Sequence, residues 1–389
     1  MLGEEDFLVE LRVDAEVDEL LSEVEAAADE LKTHVLGKLR KPPSNIGYKC
    51  KGCEYRVDGQ QSGFNECWGQ LARKNPHIFS LYRVDAIKDG PNRLVDVLIQ
   101  QGRAGLFDIP AESCTTAYGT RQLIQLEHMR SGTPWMDPEL PRMMKAFPRP
   151  LHFIDFEAAR LAVPYHAHMR PFELIPFQWS CHTLDADDRL THREFINLEP
   201  KLPSLDFATS LRAAIPDGTV LIWSPYERTC LREVAIQIES YHPGHSDLVC
   251  WLREVADDTN RVRDQMKMTL DYYFHPHMEG SVSIKKVLPA IWNADAELRA
   301  RPEFAEYAAA GAGSPYKTLP KEEILDEADM VEEGTGAIRA YEAMLFGQGS
   351  QNPEFRDARK RLLLQYCKLD TAAMVMIWRH WEMFATRSF

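Results

Sequence analysis

The stretch that most constrains this chain is Leu151-His-Phe-Ile-Asp-Phe-Glu157. Leu151, Phe153, Ile154 and Phe156 predict a buried strand over 151–156, yet Asp155 and Glu157 place two carboxylates at its end. Side chains two residues apart on a strand point to the same face, so both acids converge on one point. Carboxylates held together repel unless a cation sits between them or one is protonated. Hard oxygen donors of this kind suit Mg²⁺ or Mn²⁺. Three other Asp-x-Glu pairs, Asp14/Glu16, Asp137/Glu139 and Asp295/Glu297, lie in polar or helical surroundings. The pair at 155 and 157 differs because an unpaired acid beside a core is costly.

Two more acids stand at the edges of apolar segments. The run 218–223, GTVLIW, predicts a short buried strand, and 227–240 a helix, with Glu227 at the junction. The plain reading of Glu227 is an acid favoured by the helix dipole. The run LLLQYCKLDTAAMVMIW, 362–378, predicts an apolar helix whose one acid is Asp370. Tyr366 precedes Asp370 by four residues, so both project from one helical face. Of the 13 tyrosines, only Tyr366 has an Asp at the fourth following place.

A chain of 389 residues exceeds one ordinary core, so two domains are expected, 1–147 and 148–389, with a hinge at Lys145–Pro150. In the first, 7–13 reads as a strand. Residues 15–40 read as an amphipathic helix through Val17, Leu20, Leu21, Val24, Ala28, Leu31, Val35 and Leu39, stopped at Lys41-Pro-Pro. A cysteine-bearing loop, 48–68, and a mainly helical segment follow. In the second, 151–156, 174–183 and 192–197 read as a β-meander, 204–214 as a helix, and the chain from Asn352 onward as helical. The expected fold class is α/β, a mixed sheet flanked by helices, preceded by a smaller, mainly helical, cysteine-bearing region.

Net charge is −14, which opposes broad electrostatic adhesion to nucleic acid or anionic membrane and leaves room for a local basic track. No stretch approaches the apolar length of a membrane helix. The N-terminal MLGEEDFLVE lacks a basic n-region and an apolar h-region, so a cytoplasmic location is expected, with the eight cysteines as thiols or metal ligands. Cys50, Cys53 and Cys67 form C-x₂-C plus a third cysteine, the spacing of a candidate zinc or iron–sulfur site. Nothing in its local spacing marks Cys114 as a fourth ligand. Cys181, Cys230, Cys250 and Cys367 sit in apolar patterns and read as small core residues.

FIDFE, an acid after the next buried strand, and YCKLDT together resemble the three motifs of the DEDD exonucleases, in the tyrosine variant DEDDy. Longer stretches, RPLHFIDFEAARLAVPYHAHMRPFELIPFQWSCH, VLIWSPYERTCL, YYFHPHMEGSVSIKKVLPAI and YCKLDTAAMVMIW, resemble a bacterial family of uncharacterised proteins in which this domain follows a RecB-like nuclease segment. The resemblance implies an RNase H-like fold and metal-dependent 3′→5′ hydrolysis of single-stranded DNA or RNA with two Mg²⁺ or Mn²⁺ ions. Asp155 would bridge both ions, Glu157 and Asp370 would hold the ion that activates water, Glu227 would place the other, and Tyr366 would orient the water. His275, Ser281, Ser283 and Lys285 would meet substrate. The second motif departs from the superfamily's Asn-x-x-[Phe/Tyr]-Asp: it reads Trp223-Ser-Pro-Tyr-Glu227. The RecB-like resemblance implies a 4Fe–4S cluster or zinc at Cys50, Cys53 and Cys67. The upstream cysteine and the Glu-x-Lys strand set of that nuclease are not found, so the chain would begin where such a domain is ending. The alternative function is a non-catalytic nucleic-acid-binding or metal-cluster module of a repair or defence complex.

Overall fold

The computed structural model describes residues 11–41, 43–57, 62–166, 168–311, 313–319, 334–347 and 350–388. Most of the strand expected over 7–13 lies outside these residues, and 11–13 are exposed coil. The first helix, α1 (Asp14–Val35), is shorter than the expected 15–40. Leu36 is already extended and Gly37 follows at φ +86°, so the chain leaves helical geometry before the prolines are reached. None of its residues is buried, so its apolar stripe packs on nothing among the described residues.

The described residues of 48–131 form short 3₁₀ and α-helical turns and a small hairpin, Lys88–Asp89 with Asn92–Arg93, ending in α2 (Gly119–Ser131). They close around their own core of Phe64, Trp68, Phe79, Leu98 and Leu126. The next segment belongs elsewhere. Trp135–Met136 pairs antiparallel with Tyr273–Phe274. Leu140 and Met144, on α3 (Glu139–Ala146), and Phe147 join the core that holds Trp378.

The sheet contains β1 (Leu151–Arg160), β2 (Leu174–Leu184), β3 (Leu190–Ile196), β4 (Thr219–Ile222) and β5 (Val262–Asp264). Its spatial order is β3-β2-β1-β4-β5. The pairs β1–β2 and β2–β3 are antiparallel, and β1–β4 and β4–β5 are parallel. This is the expected mixed α/β sheet. Alternation along β1 sends Ile154, Phe156 and Ala158 into the core under α4 (Ser204–Ala214), α5 (Tyr226–Tyr241) and α6 (Ser246–Asp257). Leu151 and Phe153 go to the other face, against α7 (Ile284–Ala294) and the long α9 (Pro353–Ser388). A further helix, α8 (Gly334–Phe346), packs with α9 over the far end of β1.

Polar side chains on β2 hold α9 in register. Gln178 Nε2 donates to Leu363 O at 2.8 Å. Ser180 Oγ and His182 Nδ1 each lie 2.8 Å from Thr371 Oγ1. These three alternate residues share one face of β2 and are all buried. From β5's end, Gln265 Nε2 donates to Met374 O at 3.0 Å. A buried amide without a partner costs about 1–3 kcal/mol, so these bonds set the axial position of α9 as well as its face.

Candidate metal site at the end of the central strand

The parallel ladder between β1 and β4 ends at Phe153, while β1 runs on to Arg160. Beyond that residue the two strands diverge at the point where the sheet changes direction. Open α/β sheets place their ligand crevices at such carboxyl ends. Asp155 and Glu157 project there from the Phe153 face, before a register shift between Glu157 and Ala158. From α9, Asp370 arrives at the same point. One oxygen from each of Asp155, Glu157 and Asp370 lies within 4.8 Å of the others. Among the described residues no other group of three or more His, Cys, Asp or Glu comes together in this way.

The surroundings raise the cost of leaving these charges bare. Glu157 and Asp370 are buried, and Asp155 is partly so. Burial first, then repulsion from Asp370, Glu157 and Glu227, pushes the Asp155 carboxyl well above its usual range. Glu157 is pushed well up by burial and Asp370, while the Lys285 charge pulls it down. Asp370 rises to about 6 through burial, held back by hydrogen bonds from Tyr316 and Tyr366 and by Lys285. The Tyr316 hydroxyl donates to Asp370 Oδ1 at 2.5 Å. Cys367 Sγ donates to Asp155 Oδ2 at 3.3 Å.

These donors fit a hard divalent cation. Six-coordinate Mg²⁺ with bonds of about 2.1 Å spans oxygens up to roughly 4.2 Å apart, so the three acids, within 4.8 Å of one another, would close in slightly on such an ion. The close approach of the three acids, two of them buried, creates the negative charge such an ion neutralises.

Glu227 occupies the first turn of α5. Burial raises its carboxyl to about 8, its own and Ser224's backbone N–H groups lower it, and Asp264 and Asp370 raise it. It lies outside the three-acid group, and its Oε2 has no hydrogen-bond partner. Trp223 is buried in the same core as Phe153 and leaves Nε1 unpaired.

The expected substrate residues divide. Lys285 lies 5.0 Å over the Tyr366 ring and 5.8 Å over the Tyr316 ring, so it belongs to the site. His275 is buried, and its Nδ1 accepts the His277 N–H at 3.2 Å. Ser281 Oγ accepts the Ser283 N–H at 3.2 Å, ahead of α7, with Ser283 exposed. The thiols of Cys50, Cys53 and Cys67 are not gathered into one group; Cys67 Sγ instead accepts from Ser44 Oγ at 3.3 Å. Cys181, Cys230 and Cys367 are buried as expected. Cys250 corrects the expectation: it is exposed, because it falls on the outward side of α6.

Sequence reasoning missed Tyr316 and Asp264. Tyr316 comes from an isolated 3₁₀ turn, Pro315–Thr318, with no local pattern to mark it. Asp264 closes a three-residue strand too short to announce itself, though its acid at a strand end repeats the Asp155 signal.

A family profile described as "Domain of unknown function (DUF2779)" matches residues 152–283, roughly one third of the chain. The matched span includes Asp155, Glu157 and Glu227, and stops before Lys285, Tyr366 and Asp370. No curated protein and no solved structure matches the chain.

Proposed function

We propose that this chain is a metal-dependent hydrolase of nucleic-acid phosphodiesters, a 3′→5′ exonuclease acting on single strands. The observation that carries the reading is the convergence of Asp155, Glu157 and Asp370 from a strand and a helix more than two hundred residues apart. Tyr366 and Lys285 complete the set at the same point. The sheet supports it too, since a three-stranded antiparallel meander continued by two parallel strands is the RNase H-like arrangement.

A divalent ion held by Asp155, Glu157 and Asp370 would supply Lewis acidity to the phosphoryl oxygen and to water. The protein's own groups do the remaining work. The Tyr366 hydroxyl, beside Asp370, orients the attacking water. The Lys285 ammonium meets a non-bridging phosphate oxygen. A bond forms from the water oxygen to phosphorus, the bond from phosphorus to the 3′ oxygen breaks, the water's proton leaves to solvent, and the 3′ oxygen takes one up. The three acids would make one cation position; a second would rest on Glu227, whose carboxyl the Asp264 charge raises. Cys50, Cys53 and Cys67 would hold a cluster only with their thiols brought together, which they are not here.

The test uses a labelled single strand with Mn²⁺. Mononucleotide release by the native chain, lost in Asp155→Asn with an unchanged circular dichroism spectrum, is the expected result. Equal release by D155N would sink the assignment. Binding without release in the native chain would favour the non-catalytic module.

A further inference from the structure

Charge is unevenly spread along this chain. Residues 36–130 carry 14 Lys and Arg against nine Asp and Glu, a surplus of five positive charges within a chain of net −14. In three dimensions part of that surplus faces an open cleft of about 750 Å³. Lys51, Arg56, Phe64 and Phe79 line it from the cysteine-bearing region, and Glu279 and Lys286 from the segment leading into α7. Arg56 lies over the rings of Phe64 and Phe79 at 5.1 and 5.5 Å, which holds its guanidinium at the wall. Lys286 approaches Glu279 only at 4.0 Å. Tyr55 is 66% exposed. Its backbone carbonyl accepts from Phe64 N and Ser62 Oγ, two residues of the cleft wall.

The cleft and the acid site meet at one helix end. Lys285 turns toward the acids and the next residue, Lys286, lines the cleft. Gly280, at φ +75°, makes that proximity possible. A Cβ there would stand 2.1 Å from the Ser80 carbonyl, and Ser80 also lines the cleft.

We propose that this cleft is a second nucleic-acid subsite, taking the phosphate backbone of a single strand whose 3′ end lies at Asp155, Glu157 and Asp370. This deepens the hydrolase reading and rests on it for the position of the 3′ end. Lys51, Arg56 and Lys286 bind phosphates, and Tyr55 offers a ring for a base to stack on. The contact is with the backbone, so it is indifferent to sequence.

The experiment measures anisotropy of a fluorescein-labelled twelve-nucleotide strand on the full chain without divalent metal, comparing native with Lys51→Glu/Lys286→Glu. Affinity is expected to fall roughly tenfold, and the log–log salt slope by about 1.4, for two lost phosphate contacts on a single strand. Unchanged affinity in a folded variant overturns the proposal, as does polyglutamate competing as well as the strand. Hydrolysis of the p-nitrophenyl ester of thymidine 5′-monophosphate with Mn²⁺ reads the acid site alone and is expected to be equal in both proteins. If neither protein hydrolyses it but strand binding still depends on Lys51 and Lys286, the subsite stands and the hydrolase reading fails. Should melting show that the Lys51 change unfolds the chain, Tyr55→Ala/Lys286→Glu, at two exposed positions, decides by the same affinity loss or its absence.

Discussion

The Tyr316 hydroxyl donates to Asp370 Oδ1 at 2.5 Å and ties an isolated turn to the acid delivered by α9. A hydrogen bond to a charged group contributes about 1.5–3 kcal/mol. Tyr316→Phe is expected to raise the Mn²⁺ concentration for half-saturation about tenfold while leaving the fold intact. Titration of the Mn²⁺-induced melting shift checks this, and an unchanged midpoint refutes it.

Asp155→Asn should move activity and stability in opposite directions. Asp155 faces repulsion from Asp370, Glu157 and Glu227 in a largely enclosed site, so its neutral isostere relieves charge that the Cys367 hydrogen bond and Lys285 only partly offset. Metal-free D155N is expected to melt higher than native by several degrees and to lose the Mn²⁺ shift. A lower metal-free melting temperature would contradict the account.

The metal-free protein is expected to be less stable at pH 8 than at pH 5. Glu227 rises from 4.5 to about 8 and Asp370 from 3.8 to about 6, so the folded chain holds these protons more tightly than the unfolded one. Their contribution is full below about pH 4 and is lost as pH rises toward 8. Saturating Mn²⁺ should flatten this slope, because a cation favours the ionised acids. Melting curves between pH 5 and 8, with and without Mn²⁺, read both effects.

Thr371 lies one residue past Asp370 and meets both Ser180 and His182 at 2.8 Å. Thr371→Val keeps the shape and removes the shared partner of two buried groups. The expected loss is about 1–3 kcal/mol by denaturant unfolding, with weaker Mn²⁺ binding because α9 sets the position of Asp370. Full stability with unchanged Mn²⁺ affinity would show that apolar packing alone seats the helix.

The thiols offer a separate check on the cysteine loop. Cys50 and Cys53 are partly exposed, Cys67 and Cys250 are exposed, and the other four are buried. A native, metal-free sample should react with a disulfide reagent at about four sites. Iron or zinc bound at Cys50, Cys53 and Cys67 would leave one, with metal released on adding acid.

Local chemistry made much of this molecule legible. Apolar alternation located β1, β2 and β4 to within a few residues, and helical periodicity located α4, α5 and α9, because one buried face imposes its period on the residues that line it. The same reasoning singled out Asp155 and Glu157, since two charges in an apolar run are out of keeping with their neighbours. It failed where no period exists. Tyr316 is one hydroxyl on one turn, and its meeting with Asp370 depends on where the chain from α7 to α9 returns. Cys367, expected to be plain core, touches Asp155 because Thr371 fixes the rotation of α9.

Sequence alone therefore determined which side chains would be out of place in a core, and on which elements. Tertiary structure decided that Asp155, Glu157 and Asp370 share one site, that Glu227 stands outside their group, and that Lys285 and Lys286 serve different surfaces. The physical reason is distance: pattern is a property of neighbours along the chain, whereas a cation site and a cleft are made by residues that only packing brings together.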